Sequence, residues 1–152
     1  VIKRVRPPAE TVGTTDWLNV ADTVEVELTS EDPDCPIEGA LLLDRARGWR
    51  AAVPGRQEIA LIWPDPIRVR RIRLVFEEQS ETRTQEFVLR ASTPDGIRDI
   101  VRQQFTFAPP GTTVEREEYT TNLQGVTRLE LAIVPAIDRG DAIATLSEWR
   151  IE

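Results

Sequence analysis

The sequence predicts an all-β domain of about eight short antiparallel strands, arranged as a sandwich or barrel. Three observations predict it. Apolar residues recur at every second position in several separate stretches, Pro/Gly turns divide those stretches, and no long stretch carries the apolar period of an amphipathic helix. At 152 residues, with no internal repeat, low-complexity tract or linker, the chain reads as a single domain over 1–152 with a sizeable core.

The strongest signal runs from Gly48 to Phe76. Ile59, Leu61 and Trp63 share one parity in the run Gln57–Trp63, as do Ile72, Leu74 and Phe76 in Arg68–Phe76. Pro64 and Pro66 lack an N–H and disfavour helix before them, so a Pro-Asp-Pro corner is expected between two strands. Alternation along the strand puts most of Arg68, Arg70, Arg71 and Arg73 on the solvent side, and they read as a solvated outer face.

The segment to about Thr15 is irregular, broken by Pro7, Pro8 and Gly13, and Trp17, Leu18 and Val20 then give a short apolar anchor. Thr23–Leu28 alternates Val24, Val26 and Leu28 with Glu25 and Glu27, a strand with one wet face. A loop follows, and Ile37–Leu43 fits a helical turn or a buried strand equally well. Beyond the central stretch, Arg83–Ser92 carries Phe87, Leu89 and Ala91 in phase. Thr93-Pro94-Asp95-Gly96 reads as a turn, and Ile97–Phe107 as a strand with Ile97, Val101, Phe105 and Phe107 inward. Thr112–Thr120 suits an exposed or edge strand, and Gly125–Val134 is a second strong strand with Leu129, Leu131 and Ile133 inward. In Ile143–Ile151, Leu146 falls out of phase with Trp149 and Ile151, which predicts a bulge or a two-sided strand.

Composition removes several function classes. The formal charge of −7 opposes binding to a bare phosphate backbone, so no nucleic-acid partner is expected. No apolar run reaches the ~18 residues of a membrane span, and VIKRVRPPAE carries no signal-peptide core, so a soluble protein is expected. Histidine is absent and Cys35 is the only cysteine, which excludes an internal disulfide, Cys/His zinc sites and Ser–His or Cys–His catalysis. Lys3 is the only lysine, so Schiff-base chemistry in the folded body is excluded too. No phosphate cradle or G-x-S-x-G stands in the chain, and acidic pairs such as Glu77-Glu78 and Glu117-Glu118 read as solvated turns or edges. The chain is not expected to be an enzyme.

The order of segments resembles the galactose-binding-like β-sandwich superfamily, which includes discoidin (factor 5/8 type C) domains and family 32 carbohydrate-binding modules. The resemblance rests on the wet first strand, LLLD at 41–44, the Trp49 loop, QEIALIWPDP followed by VRRIRL, and the closing IATLSEWRI, and it spans Val24 to Ile151. It implies a two-sheet antiparallel jelly roll with variable loops at one end forming a binding face. It also implies a structural calcium in many members, whose matching positions here are Asp44 and Glu148. Arg45-Ala46-Arg47 replaces the acidic loop usual there, and pairing of Asp44 and Glu148 with Arg45 or Arg50 is the preferred reading, so no cofactor is expected.

Sugar binding needs an aromatic face and planar hydrogen-bonding groups. The loop candidates are Trp49, Arg50, Arg56, Asp138 and Arg139, with Trp17 a further aromatic. Sugar-binding relatives commonly combine a His, an Arg, an Asn and an exposed aromatic, a set that this histidine-free chain cannot complete. Trp63 and Trp149 lie in phase with their strands and read as core, and Trp49 reads first as a lid over the sandwich and second as a platform. The functional expectation is a non-catalytic module binding carbohydrate through its loop end. The alternative is a protein-interaction or assembly module on the same scaffold.

Overall fold

A computed structural model describes Trp17 and residues 24–43 and 47–152. The expectations placed on the segment to Thr15, on Leu18 and Val20, and on Asp44 and Arg45 fall outside the described residues.

The strands are β1 (Glu25–Leu28), β2 (Trp49–Arg50), β3 (Gln57–Glu77), β4 (Arg83–Thr93), β5 (Gly96–Phe107), β6 (Val114–Val134), β7 (Thr145–Leu146) and β8 (Glu148–Ile151), with one short helix, α1 (Glu38–Leu41). All pairings are antiparallel. The main ladder runs β1-β3-β6-β4-β5, β8 pairs with β3, and β2 pairs with β7 as a separate two-stranded ribbon.

β3 and β6 are each 21 residues long and pair along most of their length. The first half of β3 lies between β1 and the second half of β6, while its second half lies between β8 and the first half of β6. The Phe76 ring meets Phe87 of β4 at a centroid distance of 5.1 Å. That contact sets the second half of β3 face to face with the sheet that contains its first half, so the β3–β6 ribbon folds over on itself into a two-sheet jelly roll. Between the layers lie Ile59, Leu61, Trp63, Ile72, Leu74, Phe76, Phe87, Leu89, Leu129, Leu131, Trp149 and Ile151, all buried.

The fold-over is where the structure departs from the sequence reading. Pro64, Asp65 and Pro66 do not end a strand; β3 continues through them. The ladder instead slips between Ile62 and Ile67, between Ile67 and Val69, and between Val69 and Arg71. Such slips move the inward positions from odd to even, from Ile59, Leu61 and Trp63 to Ile72, Leu74 and Phe76, as a β-bulge does. The two prolines are tolerated because their exposed positions need no ladder donor. Likewise most of Thr112–Thr120, from Val114 on, and Gly125–Val134 are parts of one strand, β6, which bends near Gly125. Gly125 has φ +68°, and a β-carbon there would stand 2.7 Å from Cδ of Pro94, so glycine meets both the backbone and the space requirement.

The smaller corrections are local. Ile97 is not inward but 76% exposed, because the ladder slips again between Leu89 and Arg90 and reverses the phase of the start of β5. Residues 38–41 of the ambiguous apolar segment form α1, whose carbonyls at Ala40 and Leu42 accept hydrogen bonds from Arg150 at 2.6 and 3.3 Å. Ser147 breaks the last strand, donating its N–H to Val75 O at 2.8 Å, so Leu146 and Trp149 are both buried despite opposite parity. Trp17 is buried against the outer face of the β3–β8 layer, with the Arg71 and Arg73 guanidinium carbons 4.2 and 4.9 Å from its ring centroid.

Because Phe87 ties the layers together from the interior, Phe87→Ala is expected to cost about 3–5 kcal/mol in urea unfolding. A cost under about 1 kcal/mol would contradict the face-to-face assignment of β3 and β4.

Candidate functional site

The loops 29–36, 49–56, 78–82 and 135–147 gather at one end of the sandwich. Polar contacts fix them. Gln57, buried at the start of β3, accepts from Thr29 Oγ1 at 2.6 Å and Ser30 Oγ at 2.7 Å, and donates to Val53 O at 3.2 Å. Ser30 O in turn accepts from Trp49 Nε1 at 3.1 Å. Arg50 is held by its backbone: its N–H reaches Cys35 O at 3.1 Å, its carbonyl accepts from Asp32 N at 2.8 Å, and β2 pairs it with Thr145.

These contacts leave a recess of about 350 Å³ lined by Arg50, Glu77, Glu78, Ser80, Glu81 and Asp141, among others. Arg139 stands behind it and clamps two of the loops: it bonds Glu81 at 3.3 Å, Asp141 at 3.1 Å and Thr82 O at 3.3 Å. Glu77 receives a hydrogen bond from Ser147 Oγ at 3.1 Å. Glu78 bonds Arg83 Nε at 2.7 Å. Burial works to raise the Glu78 carboxyl, but hydrogen bonds from Arg83 and the N–H groups of Ser80 and Glu81 outweigh it and hold the group below its ordinary value. Glu78 is therefore ionised at neutral pH. The recess offers one guanidinium and several carboxylate oxygens, a set able to donate to and accept from a polyhydroxyl compound.

The sequence candidates divide on inspection. Arg50 lines the recess, and Arg139 touches two residues that do. Asp138 is exposed on the same loop and does not line it, while Arg56 is engaged by Glu58 at 2.6 Å. Trp49 is corrected: at 1% exposure it offers no ring face, because its indole N–H is spent on Ser30 O and its ring belongs to the core. No tryptophan or phenylalanine among the described residues is exposed; Phe105 and Tyr119 are half-buried. Glu148, the second calcium position that the resemblance implies, lies 3.8 Å from Arg73 Nη1, while Arg50, expected as a partner, stands 4.0 Å from Asp32 instead; Asp44 lies outside the described residues. Among the described residues no group of three or more acidic, Cys or His side chains is placed to hold a metal ion. Glu77, Glu78, Glu81 and Asp141 were missed as site residues, since acids in turns carry no sequence mark that separates a recess wall from a solvated loop.

A wider depression of about 520 Å³ lies on the flank between Arg98–Ile100 and Thr120–Leu123. It is bounded by strand edges rather than converging loops.

No family model matches the chain, and no curated protein matches it. Solved structures do. The family 32 carbohydrate-binding module of Clostridium perfringens NanJ in complex with galactose matches at TM-score 0.60 and 12% identity, over 89% of this chain and 96% of that one. The Clostridium perfringens module CpGH89CBM32-5, in complex with GalNAc-β-1,3-galactose, matches at TM-score 0.59 and 15% identity, over 90% and 99%. A third module, CBM32-3 of a family 31 glycoside hydrolase from Clostridium perfringens, gives 0.62 and 12%, over 91% and 96%.

Two outcomes follow from this placement. Trp49→Ala is expected to cost about 3–5 kcal/mol of stability; a variant that melts as the wild type does would return Trp49 to the surface. A calcium chelator is expected to shift the melting temperature by less than about 1 °C, and a fall of many degrees would reveal a bound ion. The chain has the galactose-binding-like β-sandwich fold that family 32 carbohydrate-binding modules share.

Proposed function

We propose that the domain is a non-catalytic carbohydrate-binding module whose ligand occupies the recess beside Arg50. The observation that supports this reading is the convergence of Arg50, Glu77, Glu81, Ser80 and Asp141, from three separate chain segments, on one recess at the loop end. Arg50 donates to sugar oxygens, and the carboxylates accept from neighbouring hydroxyls. With Arg139 already committed to Glu81 and Asp141, the wall is pre-shaped and needs little ordering on binding. The surplus of carboxylates favours neutral over acidic sugars. With no exposed aromatic ring among the described residues, this reading rests on hydrogen bonds rather than stacking.

Protein interaction on the same scaffold is the second reading. Among the described residues β5 pairs on one side only, with β4, and it exposes Ile97 near its start, a strand edge suited to pairing with another chain.

A glycan array followed by titration calorimetry tests the first reading. Wild-type protein is expected to retain neutral glycans, and Arg50→Ala and Asp141→Ala each to weaken retention by about tenfold or more, as loss of a charge-assisted hydrogen bond does. Retention of no glycan, or retention indifferent to both substitutions, would overturn it and leave the β5 edge as the surface to probe.

A further inference from the structure

Behind the loop end, a line of polar side chains enters the space between the sheets. Arg83 has a fully buried side chain; it bonds Glu78 at 2.7 Å, Gln85 at 3.2 Å and Pro135 O at 2.8 Å. Its guanidinium carbon lies 4.7 Å from the Phe107 ring centroid. Gln85, fully buried, donates to Glu115 Oε1 at 3.2 Å. Glu115 is 1% exposed, and its Oε2 has no hydrogen-bond partner among the described residues. Two residues on and on the same strand face stands Glu117, which accepts from Tyr119 OH at 3.3 Å.

The groups facing Glu115 can be enumerated by element. From β4 come Arg83 and Gln85, with Arg83 already engaged by Glu78 beyond β3. From β3 comes Phe76, its register partner, and the inward positions of β5 nearest the connecting loop hold Phe105 and Phe107. Its own strand adds Glu117 and Tyr119. Two carboxyls on one inward face therefore have a neutral amide and a phenol as direct donors; among the described residues no guanidinium bonds either one, and Arg83 acts on Glu115 by its charge alone. Two adjacent carboxylates in such a place cannot both ionise without a large cost. The strand half that carries them is a sheet edge among the described residues: it pairs with β3, while β4 and β5 pair elsewhere.

We propose that Glu115 and Glu117 form a proton-held latch: while the pair keeps one proton, the flank between β5 and the first half of β6 stays closed, and loss of that proton loosens it. Burial, then the hydrogen bond and charge of Glu117, push the Glu115 carboxyl up to about 8, against smaller lowering by Gln85 and Arg83. Burial and the charge of Glu117 also raise the Tyr119 phenol, which keeps it a donor. A carboxyl whose folded value lies above its unfolded value of 4.5 stabilises the fold fully below 4.5, and that stabilisation is lost as pH rises through about 8.

The test is a set of melts from pH 5 to 9.5 on the wild type, Glu115→Gln and Glu117→Gln. It is paired with a carboxyl-carbon NMR titration of the wild type and with hydrogen-exchange protection factors corrected for intrinsic rates. The wild type is expected to lose roughly 5–10 °C between pH 6 and pH 9, Glu115→Gln to lose less than about half of that, and Glu117→Gln to move the midpoint lower. The NMR titration is expected to place Glu115 near 8, with protection above it falling first in β5 and residues 114–121. A Glu115 midpoint below about 6, or a wild-type melting temperature flat over this range, would overturn the latch. Protection lost uniformly would overturn its placement on this flank. The NMR readout stands even if Glu115→Gln fails to fold.

Discussion

The constraint on which the rest depends is the pairing of β3 with β6. Two strands of 21 residues each must remain a hydrogen-bonded ribbon while passing from one layer of the sandwich to the other. A ribbon that long cannot stay flat and bury both halves of its apolar face. It folds over near Pro64–Ile67, opposite Leu123–Val126, and the ladder slips carry the inward parity through the bend. The remaining elements fill the positions this creates: β1 and β8 extend opposite halves of β3, and β4 extends the second half of β6.

The loop end inherits its geometry from the same ribbon. Because β3 begins and ends at one end of the folded molecule, Gln57 and Glu77 both serve the loop end, though separated by the full strand. Gln57 organises the loops that carry Trp49 and Arg50, while Glu77 and Glu78 supply one wall of the recess. Fold and candidate site are thus one construction, and the buried Trp49 works from below by fixing the backbone of Arg50.

Much of the layering was legible in the residues. Trp63, Trp149, Phe87, Leu129 and Leu131 are core because alternation marks them so, and all are buried. The numbers of Ile59-Leu61-Trp63 and Ile72-Leu74-Phe76 differ in parity, the mark of a bulged strand, but the two prolines between them suggested a corner instead. Trp49 shows the limit of reading a loop: a tryptophan before a short strand looks alike whether it covers the core or faces solvent. The acids were the least legible. Glu115 and Glu117 occupy inward positions, as Arg83 and Gln85 do, yet an alternation of polar residues does not say which face turns inside. Glu81 and Asp141 become a pair only when the fold brings Arg139 between them.

The central functional claim is that a hydroxyl-rich ligand enters the recess formed by Arg50, Glu77, Glu81 and Asp141. Backbone amide NMR during titration with galactose and other neutral sugars measures this most directly. The account predicts saturable shifts confined to residues 50–53, 77–82 and 139–145. Shifts clustered at the opposite end, around Pro94–Gly96 and Gly125, or on the flank at Arg98–Ile100, would contradict it, as would the absence of any saturable shift.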